Sequence, residues 1–146
     1  MKRSIIAMTV VFAFISTTAF SQKKGNENFA IVTFQKEFKG AENVKWSHDK
    51  DFITASFVLG NSGVIAYFDD SGELAGTARN ILFNQLPLLV IKELNGSYPS
   101  ASIYNITEYN TNSETFYTMT AETLTRQFKL KVFSNGDISV ENKIKK

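Results

Sequence analysis

The chain has 146 residues, no cysteine and one histidine. Without cysteine it forms no disulfide, no thiolate nucleophile and no zinc site built on sulfur. Its 16 basic and 14 acidic residues give a formal net charge of +2, a small excess for a protein that binds nucleic acid through phosphates. We therefore expect no nucleic-acid partner.

Residues 1–21 are predicted to be a signal peptide. Lys2 and Arg3 give a basic start, the apolar run from Ser4 to Phe14 is too short to span a bilayer of roughly 30 Å, and Ala19 to Ser21 fits a small-x-small cleavage site. The alternative is an uncleaved N-terminal anchor. Cleavage removes two basic residues, which leaves 14 basic and 14 acidic residues in the mature chain. We predict a periplasmic or secreted protein with no membrane span after cleavage, and no lipoprotein anchor because cysteine is absent.

The rest of the chain predicts a single domain over residues 29–146, preceded by a flexible N-terminus at 22–28. Within the domain one pattern occurs twice, at 29–82 and at 84–144: an apolar helix, a glycine after it, several strands and a hairpin with a glycine turn. A helix with a few strands buries its own apolar face poorly, so the two units are expected to share one core.

In the first unit, Ala30, Phe34 and Phe38 recur every four residues, which predicts a helix that ends at Gly40. Strands rich in β-forming residues are predicted at 43–47, 52–59, 64–68 and 73–79. The turn that ends in Gly72 suits a type I turn followed by a left-handed glycine.

In the second unit, Pro87 fits the first turn of a helix. Leu88, Ile91 and Leu94 form its apolar stripe, and Gly96 is expected to end it. Strands are predicted at 102–109, 115–121, 125–133 and 137–144. Asn135-Gly136 is the strongest hairpin signal in the chain.

The strand at 125–133 predicts that the two faces of the sheet differ. Phe128, Leu130 and Val132 alternate with Lys129 and Lys131, and a strand buried on both faces would not carry two lysines on one of them. The predicted fold class is therefore α+β: two helix-plus-meander units that form one antiparallel sheet of about eight strands, with both helices on one face.

The uncovered face of this sheet is the candidate binding site. Alternation along the strands places polar side chains there, with a phenylalanine at two strand ends, and the same face is predicted to include Ser56, Thr77 and Thr120. The candidate binding residues are Phe52, Thr54, Tyr67, Arg79, Phe116, Thr118, Lys129 and Lys131. A solvated sheet face is the plainer interpretation. A docking surface is the functional one, because aromatic residues and arginine on a rigid sheet give contact area at low entropic cost.

No catalytic residue, metal ligand or cofactor is predicted. A Ser–His–Asp arrangement would have to use His48, which lies beside Asp49 and Asp51 and is interpreted as a solvated turn histidine. The turn at 69–73 has acids and a glycine but lacks the alternating spacing of a calcium loop. We therefore predict that the protein is not an enzyme.

Several short segments carry a family resemblance. They are Phe38-Lys39-Gly40-Ala41, Val44-Lys45-Trp46, Ala66-Tyr67-Phe68-Asp69, Leu86-Pro87 and Tyr98-Pro99. With the exported start, they resemble the PepSY-like, β-lactamase-inhibitor-protein-like (BLIP-like) domains of exported bacterial proteins, over about residues 29–144. The resemblance implies an eight-stranded sheet with helices on one face. It also implies a non-enzymatic role, since the namesake inhibitor binds its target across the open face. This chain lacks the disulfides of the namesake.

The predicted function is an exported, inhibitor-like binding module that docks a protein or peptide partner of the cell envelope on its open sheet face. The alternative is a small cystatin- or NTF2-like pocket protein or hydrolase of the envelope, in which helix and sheet enclose a cavity. A third hypothesis is a structural or sensory domain of a larger envelope assembly.

Overall fold

The computed structural model describes residues 23–146. The predicted signal peptide lies outside the described residues. Helix α1 spans Lys23–Glu37 and helix α2 spans Leu88–Ser97, with a short 3-10 helix at Phe83–Gln85. The strands are β1 Glu42–His48, β2 Ile53–Leu59, β3 Ser62–Phe68, β4 Leu74–Asn80, β5 Ser102–Thr111, β6 Thr115–Glu122, β7 Arg126–Phe133 and β8 Ile138–Lys145.

The strands agree closely with the predicted ones, and the helices differ from the prediction at their ends. Helix α1 begins at Lys23, so most of the segment predicted to be flexible is helical. No proline interrupts the helix. Extending an existing helix is much easier than starting one, so polar residues can join its N-terminal end. Gly40 has a φ of +83°, which confirms the left-handed stop. Gly96 lies inside α2 instead of ending it, because the chain turns only where the Tyr98 amide donates to the Leu94 carbonyl at 2.8 Å.

The eight strands form one antiparallel sheet in the order in which they occur in the chain. Each strand after the first pairs with its predecessor, and β4 pairs with β5 over Gly76–Asn80 and Thr107–Thr111. That ladder joins the two units into one continuous sheet.

Both helices cover the same face of the sheet. Across the joint between the units, Val64 pairs with Arg79, Arg79 with Glu108, and Glu108 with Tyr117. Val64 packs on the core beneath α1, whereas Tyr117 belongs to the core beneath α2. Residues paired across an antiparallel ladder lie on the same face, so the predicted α+β fold with helices on one face is confirmed.

The interior consists of two clusters of buried side chains, one under each helix. The first contains Ala30, Phe34, Ile53, Ala55, Phe57, Ala66 and Phe68. The second contains Ile81, Leu86, Val90, Leu94, Ile106, Tyr117, Met119, Ala121, Leu130 and Val132. The shared core expected from the repeat is therefore divided in two beneath one sheet.

The central strands carry polar residues on the helix side, between the two clusters. The Arg79 Nε lies 2.5 Å from a Glu108 carboxylate oxygen, and the glutamate side chain is only 12% exposed. Thr77 and Asn110 share this face because they pair with each other in the same register. The prediction that Arg79 and Thr77 lie on the open face is therefore wrong. The paired segments Gly76–Asn80 and Thr107–Thr111 contribute no residue to either cluster, and there the polar side chains point to the helix side and the small residues to the other.

Among residues 23–146 no helix is long and apolar enough to cross a membrane.

Candidate functional site

A row of aromatic side chains crosses the open face, the sheet surface opposite the helices. We call it the aromatic row: Phe52, Tyr67, Tyr109, Phe116 and Phe133. All five lie at the ends of their strands next to the turns after β1, β3, β5 and β7. The register places them on the open face, because Tyr67 pairs with Gly76 and Phe116 pairs with both Tyr109 and Phe133.

Neighbouring rings in the row are in contact on each side of β4. The Phe52 and Tyr67 centroids lie 5.9 Å apart in an edge-to-face pair. Tyr109 stacks on Phe116 at 4.9 Å with an angle of 10° between the rings, and Phe133 lies 6.4 Å from Phe116. Such pairs hold one another in place, so the row presents a preorganised apolar surface.

The two predicted lysines are held against the open face. The Lys131 Nζ lies 3.9 Å from the centroid of Phe116 and 4.8 Å from that of Phe133, which is within the range of cation–π contacts. The Lys129 Nζ donates to the Thr120 hydroxyl at 2.7 Å, and Thr120 is fully buried. Their ammonium groups therefore occupy defined positions on the sheet.

Seven of the eight predicted binding residues lie on the open face. They are Phe52, Thr54, Tyr67, Phe116, Thr118, Lys129 and Lys131. They form two groups: Thr54 pairs with Tyr67 in the first unit, and Thr118 pairs with Lys131 in the second. Arg79 lies on the opposite side of the sheet and is not part of this surface.

Sequence reasoning missed the residues that join the two groups. Tyr109 stands on the open face at the centre of the row, and Gly76 and Ala78 form the floor beside it. Simple alternation along β5 fails because its register shifts between Tyr104 and Thr107, where Asn105 has a φ of +52°. A positive φ at asparagine is uncommon but tolerated, and no feature of the sequence marks this one.

Two depressions lie on the open face, and Tyr67 and Tyr109 line both of them. One, of about 230 Å³, lies over Gly76 beside Phe52. The other, of about 370 Å³, lies over Asn80 and Thr107. Ala78 is covered between them and is 4% exposed. Burial raises the pKa of Tyr67, and the nearby Tyr109 phenol raises it further.

A polar network fixes the far corner of the open face. The Tyr104 hydroxyl donates to Glu122, and Gln127 donates to Tyr104 at 2.9 Å. Lys146, the last residue, forms an ion pair with Glu122. The Lys146 ammonium and the Tyr104 hydroxyl lower the pKa of the Glu122 carboxyl, and the hydrogen bond to Glu122 raises the pKa of Tyr104.

This network predicts a stability change in acid. A carboxyl whose pKa is lowered by folding contributes stability above its unfolded value, about 4.3, and this contribution is lost as the pH falls through the lower folded value. We expect Glu122→Gln to melt below the wild type at pH 7 and the difference to shrink as the pH falls below about 4. Thermal melts from pH 7 to 3 measure it. Glu141→Gln, which removes a carboxylate outside the network, is the control, and a Glu122→Gln difference that grows in acid would contradict the assignment.

His48 lies at the surface on the helix side, with its Nε2 3.8 Å from a Glu27 carboxylate oxygen. Among residues 23–146 no group of three or more histidine, aspartate or glutamate side chains is placed to hold a metal ion.

Several solved structures of other proteins have a fold similar to that of this chain. A proposed periplasmic protein from Bacteroides eggerthii aligns with a TM-score of 0.69 and 14% identity, over 81% of this chain and 87% of its own. A BLIP-like protein from Bacteroides fragilis aligns with a TM-score of 0.66 and 16% identity, over 81% of this chain and 84% of its own. This chain has a BLIP-like fold.

A DUF2874 family protein from Bacteroides uniformis has the same architecture, with a TM-score of 0.68 and 15% identity over 80% of this chain and 87% of its own. No family model matches the sequence, and no curated protein matches it. The BLIP-like fold is thus confirmed, and the PepSY-like assignment stays a prediction.

Proposed function

We propose that this protein is an exported, non-enzymatic binding module that docks a protein or peptide of the cell envelope on the open face. The observation that carries the proposal is the aromatic row. Its rings are preorganised by contacts with one another, and they remain partly exposed on a rigid sheet. Aromatic residues at such positions supply much of the binding energy at protein interfaces.

Export and the periplasmic location are part of the same proposal. They rest on the predicted signal peptide and on likeness to a proposed periplasmic protein of the same architecture. The fold also agrees with the BLIP-like side of the resemblance, in which the open face is the binding side.

The packing favours this proposal over a pocket protein. A cystatin- or NTF2-like site would need a cavity between helix and sheet. Here Phe34 of α1 and Leu94 of α2 pack directly on the sheet within the two buried clusters. The depressions beside Tyr67 and Tyr109 are on the other face, open to solvent.

Site-specific photo-crosslinking tests the proposal. A photoreactive residue is placed at Thr54 or Thr118 on the open face, or at Gln35 or Lys92 on exposed helix surface, and the protein is expressed in the envelope of its source organism. We expect protein cross-links from the open-face positions only. Cross-links from the helix positions alone would overturn the proposal.

A pair of variants sharpens the result. Phe116→Ala combined with Lys131→Glu removes the centre of the second aromatic group, so cross-linking from Thr54 should fall about tenfold or more, as for loss of an interface hot spot. Arg79→Ala breaks an ion pair on the opposite side of the sheet and is the matched control. Circular dichroism establishes that both variants are folded. Equal loss of cross-links in the two variants would count against the open face.

A further inference from the structure

The aromatic row is interrupted at β4 by a slot. The slot lies over Gly76 and is lined by Phe52, Tyr67, Tyr109, Ala75 and Thr111. A Cβ at residue 76 would lie 2.7 Å from the Asn110 carbonyl oxygen, so β4 and β5 approach here too closely for any side chain. Glycine therefore leaves the row open where the neighbouring strands contribute rings.

The size of this slot suits one side chain. Its volume is about 230 Å³, below the roughly 300–1,000 Å³ typical of sites for whole small molecules. Its walls are the faces of Tyr67, Tyr109 and Phe52, and burying a single apolar side chain against them removes its surface from water. Tyr67 and Tyr109 separate the slot from the more polar depression over Asn80 and Thr107. A small apolar anchor therefore fits the slot, and an extended ligand does not.

The slot opens toward an acidic end of the molecule. The turns after β1, β3, β5 and β7 all lie at this end of the sheet. They carry seven carboxylates and one lysine: Asp49, Asp51, Asp69, Asp70, Glu73, Glu114 and Asp137, against Lys50.

Two of these acids stand close in sequence to residues that line the slot. Asp51 is adjacent in sequence to Phe52, which lines the slot, and Asp70 belongs to the turn that follows Tyr67 by two residues. Exposed charges interact over about 8–10 Å at physiological salt. On the Phe52 side of the slot, away from the Lys131 ammonium over Phe116, basic groups beside the anchor are therefore favoured over acidic ones.

We propose that the Gly76 slot receives one apolar side chain, flanked by lysine or arginine, from a loop of the partner protein. The inference rests on the proposed function and names the chemistry of its partner. The slot supplies the apolar anchor point, and the acidic turns select the basic flanks.

NMR titration of the ¹⁵N-labelled protein with three capped tripeptides tests this directly. The probes are Lys-Phe-Lys, Lys-Ala-Lys and Glu-Phe-Glu. We expect Lys-Phe-Lys to shift the amides of Gly76, Ala78 and Thr111. Lys-Ala-Lys should bind about tenfold more weakly because it lacks the apolar anchor. Glu-Phe-Glu should bind about threefold more weakly, and raising the salt concentration should remove that difference.

Variants in the slot and in the acidic turns locate the binding. Tyr67→Ala removes a wall of the slot and should weaken Lys-Phe-Lys binding about tenfold. Leu124→Ala removes an exposed apolar side chain in the turn after β6, at the other end of the sheet, and is the control, with binding unchanged. Asp51→Asn combined with Asp70→Asn should erase the preference for Lys-Phe-Lys over Glu-Phe-Glu. Asp69 is left intact because its carboxylate holds its own turn through Ser71 and Glu73.

The outcomes separate this inference from the proposed function. Equal binding of Lys-Phe-Lys and Lys-Ala-Lys, or unchanged binding by Tyr67→Ala, overturns the slot even where cross-links from Thr118 support docking on the open face. Maltohexaose, added to the same samples, tests a glycan partner, and amide shifts at Gly76 at a lower concentration than Lys-Phe-Lys requires would overturn the peptide assignment. Binding of Lys-Phe-Lys in the slot without any cross-link from Thr54 or Thr118 would contradict the proposed function but not the slot.

Discussion

Gly72→Ala is expected to destabilise the protein by about 2–5 kcal/mol, the sum of left-handed strain and of crowding against a packed element. Gly72 has a φ of +81°, and a Cβ there would lie 2.6 Å from the Cβ of Phe29 and 2.7 Å from the backbone nitrogen of Ala30. Neither of those atoms is the end of a flexible side chain. The turn between β3 and β4 and helix α1 must therefore move apart to admit a methyl group.

Gly40→Ala is the matched control for this prediction. Gly40 has a φ of +83°, yet a Cβ there meets no atom within 4 Å. It should therefore show the left-handed strain alone, about 1–2 kcal/mol. Urea unfolding of both variants separates the left-handed strain from the crowding against α1. An unchanged slope of the unfolding free energy against urea concentration shows that the unfolded state is the same in both. Equal losses in the two variants would show that the contact between the turn and α1 contributes nothing.

The same contact shows why the repeat could be seen in the sequence. In the second unit a Cβ at Gly136 would lie 2.9 Å from Glu93 of α2, so each unit packs its helix against a glycine turn. The alternation of apolar residues predicts the strands, and the glycine positions predict the turns that each helix packs against. The strands, the turns, the fold class and the shared helix side were predictable for this reason.

The joint between the units was not predictable from the same signals. β4 contains Gly76, Thr77, Ala78 and Arg79, and rules of hydropathy place the small residues inside and the polar ones outside. The structure has the opposite arrangement, because neither buried cluster extends over Gly76–Asn80. The apolar residues of a strand normally lie on its packed side. At this joint Tyr67 and Tyr109 provide the packing on the open side, next to Gly76 and Ala78.

The sequence predicted the residues of the candidate site only where strand alternation gives the correct face of the sheet. The positions assigned in β2, β3, β6 and β7 lie on the predicted face, whereas Thr77 and Arg79 of β4 do not. Tyr109 and the slot over Gly76 depend on the bulge at Asn105 and on a close approach of two backbones. Both are tertiary facts with no local sequence signature.

Leu94→Ala in the second unit is expected to shift the unfolding of the first unit. Trp46 is the only tryptophan in the chain and packs 5.7 Å from Phe68 in the first cluster, so its fluorescence reports on that unit alone. Leu94 is fully buried in the second cluster, and its truncation should cost about 2–5 kcal/mol. Each unit is close to the roughly 60 residues at which a domain is only marginally stable, and the β4–β5 ladder joins them, so neither is expected to persist without the other.

Phe68→Ala is the counterpart within the reporting unit, with an expected loss of about 3–5 kcal/mol. Urea unfolding followed by Trp46 fluorescence and by circular dichroism should give one coincident transition for the wild type and for both variants. A Leu94→Ala protein that keeps the wild-type fluorescence midpoint while its circular dichroism unfolds in two steps would contradict the coupling. The two clusters would then be independent folding units, and the open face that spans them would be rigid only within each half.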